Sequence, residues 1–303
     1  MASRRGATPL EGVLVIDKPG GLTSHDVVAA VRRATGEGRV GHAGTLDPAA
    51  TGVLIILVGP YTRLEPYLSS ATKSYEAAIV FGSATDTDDA DGTQVAHSDV
   101  PADVDDADRA RRILASLIGM QLQRPPEYSA IKRGGVVAHR AARAGAPIWI
   151  EPRRVEIIDA QLARVDAEAH TWFVTLTVSK GTYIRSIARD LGETLGTHAH
   201  LGSLRRTASG GIDIASAIPL DDAVAAGVAG TLADRFADPF AALGLPVIHA
   251  QAQVIADGKA LRNDGGYAED SLVAIDVGGR LAAVYRASGD CFVADAVFPG
   301  IRS

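Results

Sequence analysis

Six consecutive apolar residues, Val53-Leu54-Ile55-Ile56-Leu57-Val58, stand between Gly52 and Gly59. An apolar run of that length bounded by glycines predicts a fully buried strand. Residues 12–16 predict another, closed by the turn sequence Asp17-Lys18-Pro19-Gly20-Gly21. Ser24 predicts the N-cap of a helix over about 25–35, with Val27, Val28, Val31 and Ala34 on its apolar face and Gly36 past its end. A short helix weakened by Pro66 is predicted over 61–69. Period-two alternation over 73–81 puts Tyr75, Ala77, Ile79 and Phe81 on one face of a strand.

Farther along, Ile113, Leu114, Leu117 and Ile118 mark a helix around 105–118, and strands are expected over about 152–166 and 171–179. Thr182 predicts the cap of a helix whose buried stripe is Ile184, Ile187, Ala188, Leu191 and Leu195, ending at Gly196. Residues 201–207 read as a strand with exposed cations, and helical material follows over about 219–242. From Leu245 the pattern changes to short β-like runs at 272–277, 281–286 and 291–298 between Gly-rich turns. A domain boundary near 244 is expected, dividing the chain into 1–244 and 245–303.

At 303 residues the chain is long enough for a main domain and a small second one. A single cysteine, Cys291, forms no intrachain disulfide and fits a reducing compartment. Arg4 and Arg5 are followed by no apolar h-region, and the apolar run at 53–58 is far too short to span a bilayer. A soluble, cytoplasmic protein is expected.

The formal net charge of −6 argues against a nucleic-acid partner until its distribution is considered. Residues 86–108 hold nine Asp and no Lys, Arg or Glu, so with that segment set aside the charge becomes +3. The acidic segment is expected to be a solvated loop. Residues 124–154 carry seven Arg or Lys against two Glu, with Tyr128 among the cations. That composition suits either an arm touching phosphates or an ordinary basic surface excursion.

The residue with the most chemical promise precedes the apolar strand. In Gly41-His42-Ala43-Gly44-Thr45-Leu46-Asp47-Pro48, proline biases Asp47 toward extended backbone and projects its carboxylate from a loop. The glycines around it permit close approach of a large ligand. An acid so placed suits a nucleophile, a base or a metal ligand, although the local pattern alone favours a solvated turn capping a core strand. Arg185, on the flank of the predicted stripe, is placed to meet a carboxylate in a cleft or to pair at the surface. Asp89-Ala90-Asp91-Gly92-Thr93 matches a phosphatase-type D-x-D-G-T but follows no buried strand. As a calcium loop it has Thr87 at the first ligand position and Ser98 where a bidentate Glu belongs.

Five stretches, taken together and in order, resemble the TruB family of bacterial tRNA pseudouridine synthases. They are the one around Asp47, Lys73-Ser74-Tyr75, Pro126-Glu127-Tyr128-Ser129-Ala130-Ile131-Lys132, Ser179-Lys180-Gly181-Thr182-Tyr183-Ile184-Arg185 and Leu204-Arg205-Arg206. The similarity runs from residue 12 to about 215. It implies an α+β catalytic domain of the pseudouridine synthase fold, a mixed and mostly antiparallel sheet flanked by helices. A small PUA-like β domain would occupy 245–303, where five Lys or Arg against seven Asp or Glu speak against strong phosphate binding.

By the same resemblance Asp47 is the essential carboxylate, Tyr75 stacks on the target base and Arg185 is the ion-pair partner of Asp47. His42 would hold the T loop open, Lys18 and Tyr183 would line the pocket, and Leu204 would pack under the base. Asp89 would help, and residues 123–146, Lys132 included, would form an arm over the RNA. The implied reaction converts uridine-55 of the tRNA T arm to pseudouridine without metal or other cofactor. The partner would be the T arm and elbow of tRNA, the enzyme a monomer needing no guide RNA. The guide-dependent branch of the family is longer with basic tails, whereas this sequence ends at Ser303.

The residues bound the alternatives. No Cys/His cluster of the zinc-deaminase kind, P-loop or dinucleotide fingerprint is present. A tRNA-folding chaperone is a second reading, or an additional role. A metal-dependent phosphatase using Asp89 and Asp91 is a third.

Overall fold

The computed structural model describes residues 8–129, 131–146, 148–256 and 259–299. Arg4, Arg5 and Ala130 of the motifs above lie outside them, as does Ser303. The elements used below are β1 (Gly12–Lys18), α1 (Ser24–Thr35), β2 (Val40–Ala43), β3 (Thr51–Val58), β4 (Lys73–Phe81), β5 (Ser83–Thr85), β6 (Gln94–His97), α2 (Ala107–Ser116), β7 (Gly119–Gln123), β8 (Arg153–Asp166), β9 (Thr171–Val178), α3 (Ile184–Leu195) and β10 (Ala199–Ser209). The fold is α+β, and the chain divides into two units.

The first unit comprises the chain up to Pro48, Gly52–Ser69 and the chain from Gly210. In it β1 and β2 both run antiparallel to β3, with Val15 opposite Ile55 and Ala43 opposite the same Ile55. Val53 through Val58 are all 0 % exposed, as a strand apolar on both faces requires. The sequence pattern did not show β2, because four residues containing Gly41 and His42 carry no alternation; backbone pairing to β3 makes the strand.

Beyond Gly244 a five-stranded sheet forms from Val247–His249, Leu261–Arg262, Leu272–Val277, Arg280–Ser288 and Cys291–Val297. Ala274, Leu281, Val284 and Phe298 share a core with Val13, Val15, Ile55 and Leu57. Tyr61 meets Phe298 edge-to-face at 5.2 Å. A second cluster, with Ile255, Val273, Tyr285 and Phe292, belongs to the C-terminal sheet itself. Tyr67 also donates to the Asp295 carboxylate at 2.6 Å.

Helix α1 begins one residue earlier than its sequence suggests. Thr23, not Ser24, is the N-cap, and it closes a capping box with Asp26. Ser24 is instead buried and bonded to the Asp47 loop. Thr23→Ala is expected to destabilise the protein by about 1 kcal/mol in denaturant titration.

Glu37, fully buried just past α1, accepts from Thr8 and from the Arg39 backbone and guanidinium. Burial pushes its carboxyl up, but the Arg39 and Thr8 hydrogen bonds outweigh it and hold the group at about 2 against an ordinary 4.5. The unfolded chain therefore takes up this proton first. Glu37's contribution is present above pH 4.5 and is lost between 4.5 and 2 as acid is added. Acid titration of Glu37→Gln should lack that part of the stability loss; a profile parallel to wild type across the window would contradict it.

The second unit comprises Ala49–Thr51 and Ser70–Ser209. Its strands run β10-β4-β9-β8-β7, all antiparallel. Strand β4 spans the predicted residues, and its Tyr75, Ala77, Ile79 and Phe81 are all buried. Trp172 on β9 is 0 % exposed, meets the Phe81 ring at 4.9 Å and donates to the Val104 carbonyl at 2.8 Å. In α2 Leu114 is buried, whereas the expected apolar position Ile118 falls after the helix and is exposed.

Helix α3 buries the expected stripe and ends at Gly196 in the left-handed conformation. Its N-cap is Tyr183, with no side-chain bond; Thr182 turns back to the Ser179 carbonyl instead. Two further expectations need correcting, one on burial and one on pairing. Arg206 of β10 is 1 % exposed and not a surface cation. The acidic segment is not simply a solvated loop: its turn joins β5 to β6 and bonds through Ala90 N and Leu201 N to β10 and Asp88.

Candidate functional site

The predicted site residues fall on both units: Lys18, His42 and Asp47 on the first, Tyr75, Asp89, Lys132, Tyr183, Arg185 and Leu204 on the second.

On the first unit, Asp47 lies half-buried in the irregular stretch between β2 and β3. Gly44 turns the chain out of β2 with φ 82°, a region costly for residues bearing Cβ. Backbone on either side of Asp47 is then fixed. Leu46 exchanges two hydrogen bonds with the Ser24 hydroxyl, accepting at 3.2 Å and donating at 2.9 Å. The Pro48 carbonyl accepts from Gly21 N at 2.9 Å and from Lys18 Nζ at 3.0 Å.

Lys18 is 0 % exposed, and its ammonium also donates to the carbonyls of Pro19 and Leu22, at 2.8 and 2.7 Å. A buried ammonium must be hydrogen-bonded to be tolerated. Here the bonds it makes tie the turn after β1 to the loop that carries Asp47. A role for Lys18 in positioning that loop was not visible in sequence, because its partners lie up to thirty residues away. His42 sits half-buried on β2, opposite Ile56.

On the second unit, Arg185 occupies the first turn of α3 and is 4 % exposed. Its guanidinium donates to the Thr87 carbonyl at 2.9 Å and the Tyr128 carbonyl at 3.0 Å, and its Nε lies 3.6 Å from the Asp89 carboxylate. One turn later Arg189 donates to Asp88 at 3.0 Å and to the Arg124 carbonyl at 2.9 Å. Two arginines four residues apart thus bind the acidic turn and the root of the basic stretch to one helix. Burial pushes the Asp88 carboxyl up, against the pull of Arg189 and Arg185. Asp89 also accepts from the Thr87 hydroxyl at 2.6 Å and from Asp91 N at 3.2 Å. Asp89 is therefore integrated into the arginine-bound turn, while among the described residues no group of three or more His, Cys, Asp or Glu is arranged to hold a metal ion.

Tyr75 is 8 % exposed on β4, opposite Leu176 on one side and Arg206 on the other; Leu204 is half-buried opposite Ala77. A bulge after Arg206 breaks the β10–β4 register beside Tyr75, a device that re-aims side chains. Burial, reinforced by the charges of Arg206 and Lys180, lowers the Lys73 ammonium to about 8. Tyr183 is half-buried with the Arg153 guanidinium 5.0 Å from its ring centre, and Gln123 bonds both its N–H and its carbonyl. Lys132 is exposed in a short hairpin that pairs with Val137.

Comparison with known proteins gives these two groups of residues a context. The model of the TruB family pseudouridylate synthase N-terminal domain matches residues 32–184, and that of the tRNA pseudouridylate synthase B C-terminal domain matches residues 185–239. The tRNA pseudouridine synthase B of Thermobifida fusca is 41% identical over 280 residues, 90% of this chain and 94% of that protein. That of Corynebacterium aurimucosum is 40% identical over 293 residues, 93% and 94% of the two chains. Among solved structures, a chain of an H/ACA RNP bound to a substrate RNA containing 2′-deoxyuridine superposes with a TM-score of 0.73 at 25% identity, covering 96% of this chain and 86% of the other. A chain of a Cbf5-Nop10-Gar1 complex gives 0.72 at 26% identity, covering 94% and 83%.

Proposed function

Because the chain belongs to the TruB family of pseudouridylate synthases, we infer that it is a tRNA pseudouridine synthase, and that Asp47 carries the reaction. The observation that supports this most is the Asp47 loop, whose backbone is fixed on both flanks by buried Ser24 and Lys18. That anchoring is worth its cost in buried polar groups if the carboxylate between them must be held in one place.

The substrate we propose is uridine-55 of the T arm. The reaction breaks the N1–C1′ bond, turns the uracil and joins C5 to C1′. The C5 hydrogen leaves as a proton and N1 gains one, so the product is an isomer and no oxidant or reductant is consumed. The target base must leave its stack, and the cost is offset by stacking and hydrogen bonds in the pocket. Tyr75 supplies the stacking ring in this reading, with Leu204 beneath the base and His42 and Tyr183 toward the RNA. Asp47 acts ionised, as nucleophile toward base or sugar or as the base that removes a sugar proton. Arg185 is the cation that favours the ionised form, and Asp89 with Thr87 and Tyr128 holds that cation in place. Aliphatic walls including Ile184 and Leu204 keep out water that would hydrolyse the cleaved sugar.

We propose further that 123–146, Lys132 included, folds over the RNA, that 245–303 is a PUA-like extension of the RNA-contacting surface, and that the enzyme acts in the cytoplasm as a monomer without guide RNA. No helix among the described residues is long and apolar enough to cross a membrane.

A tRNA transcript carrying tritium at uridine C5 tests the reaction. Release of one tritium per tRNA, unaffected by excess EDTA, is the expected result. Binding without release would overturn the assignment, and release abolished by EDTA would overturn its metal-free form.

A further inference from the structure

The chain contains two tryptophans, and they are placed oppositely: Trp172 is 0 % exposed in the core, whereas Trp149 is 54 % exposed. A large aromatic left half in water forgoes much of its burial gain, and Trp149 does so beside a cavity. That cavity measures about 190 Å³ and is lined by Arg124, Pro125, Glu127, Ile148, Trp149 and Ile150. It is smaller than the roughly 300–1,000 Å³ of pockets for drug-sized ligands, which suits one planar ring system. The Arg124 guanidinium lies 5.5 Å from the Trp149 ring centre.

Both members of this pair are held by their backbones. The Arg124 carbonyl accepts from Ser186 at 2.8 Å and from Arg189 at 2.9 Å, both on α3. The Trp149 carbonyl accepts from Arg133 at 2.5 Å. The platform is therefore preorganised, and little ordering entropy is lost when a ligand arrives. The wall chemistry distinguishes ligands. Four apolar side chains, one cation and one carboxylate do not make a phosphate site, since Glu127 opposes an anion. They do suit a base: a π-face for Trp149 and Arg124, and an exocyclic amine for Glu127 to accept from. The surrounding excess of cations over 124–154 supplies attraction for the backbone that carries such a base.

We propose that Trp149 and Arg124 form a seat for one unpaired nucleobase of the bound RNA, in addition to the seat for the reacting base at Tyr75. The proposal rests on the reading of this chain as a tRNA-binding enzyme.

Intrinsic fluorescence tests it directly, because Trp149 is the exposed emitter. Titration with a single-stranded cytidine hexamer should quench the wild-type emission saturably, whereas inorganic phosphate should not. With labelled tRNA transcript, Trp149→Ala should bind about tenfold more weakly, and Trp149→Phe, which keeps a stacking face, within about twofold of wild type. The emission of buried Trp172 in both variants verifies that the fold is intact.

Absence of quenching by the hexamer, equal quenching by phosphate, or unchanged tRNA affinity in Trp149→Ala would overturn the seat; the last would leave the patch to a protein partner. Tritium release measured on the same preparations separates the two claims. Quenching and weakened Trp149→Ala binding without wild-type release would sink the enzymatic reading and keep the seat. Release with an unaltered Trp149→Ala affinity would do the reverse.

Discussion

Asp47→Asn is expected to lower pseudouridine formation by about 10⁴-fold or more, the scale seen when a group that participates covalently or as the base is removed. Transfer RNA affinity should stay within about threefold. Asparagine keeps the shape of the side chain and loses its charge, so it can neither attack nor accept the proton. The anchors that fix the loop are the Leu46 bonds to Ser24 and the Pro48 carbonyl on Lys18 and Gly21, and the substitution leaves all of them in place. Binding energy comes from many phosphate and base contacts across the RNA, which one neutral isostere does not remove. The same variant isolates a chaperone role. If the chain also opens and refolds tRNA, Asp47→Asn should accelerate refolding of a misfolded transcript as well as wild type does, because strand rearrangement needs binding and not the carboxylate. Wild-type rates of pseudouridine formation in this variant would refute the catalytic assignment.

The second large effect is expected at Arg185. Lysine there keeps the charge but cannot reproduce a planar fork that reaches the Thr87 and Tyr128 carbonyls from two different nitrogens. Arg185 itself is only 4 % exposed, so a side chain that matches its buried site poorly leaves hydrogen-bonding capacity unmet, and Arg185→Lys should destabilise the protein by about 1–3 kcal/mol. The turnover should fall by about 10²- to 10³-fold, because a catalytic geometry displaced by about 1 Å costs on the order of 10². The loss should sit in kcat and not in KM if Arg185 acts on the reacting carboxylate. Single-turnover kinetics at saturating tRNA measures it. A variant that melts earlier but turns over at the wild-type rate would reduce Arg185 to a structural tie.

How these residues come to be where they are was only partly legible in the sequence. Period and punctuation determined the elements built from local signals. The strand from Lys73 to Phe81 buries the whole face its alternation predicts, with Ala78 of the opposite face buried as well, and the stripe from Ile184 to Leu195 is buried as its spacing demands. The Asp47 loop was legible as a loop, and its order along the chain with the other motifs carried the family resemblance. Long-range pairing was not legible. Strand β2 exists because it pairs with β3, not because Val40–Ala43 has a pattern of its own. Lys18 and Arg206 look like surface charges in a hydropathy reading, yet each is removed from water by elements distant in the sequence. Trp149 shows the converse. Nothing in the sequence around it marks its exposure, and only the fold reveals the ring standing in the open beside Arg124.

The acidic segment illustrates why charge counts mislead. Nine Asp between residues 86 and 108 suggest a solvated loop repelling nucleic acid. In the structure two of them face Arg185 and Arg189, so part of that negative charge is matched by cations that the sequence places a hundred residues later. Net charge is a poor guide to partners when opposite charges are paired within the fold.

Isomerisation of one uridine of tRNA through Asp47, as proposed above, leaves a chemically distinct base at one position. An unmodified tRNA transcript incubated with wild type or Asp47→Asn in the presence of EDTA, then mapped by carbodiimide-dependent primer-extension stops, tests it most directly. A single new stop at the T-arm uridine is expected with wild type and none with the variant. A stop that the variant produces as fast as wild type, or no stop from a wild type that binds the transcript, would contradict it.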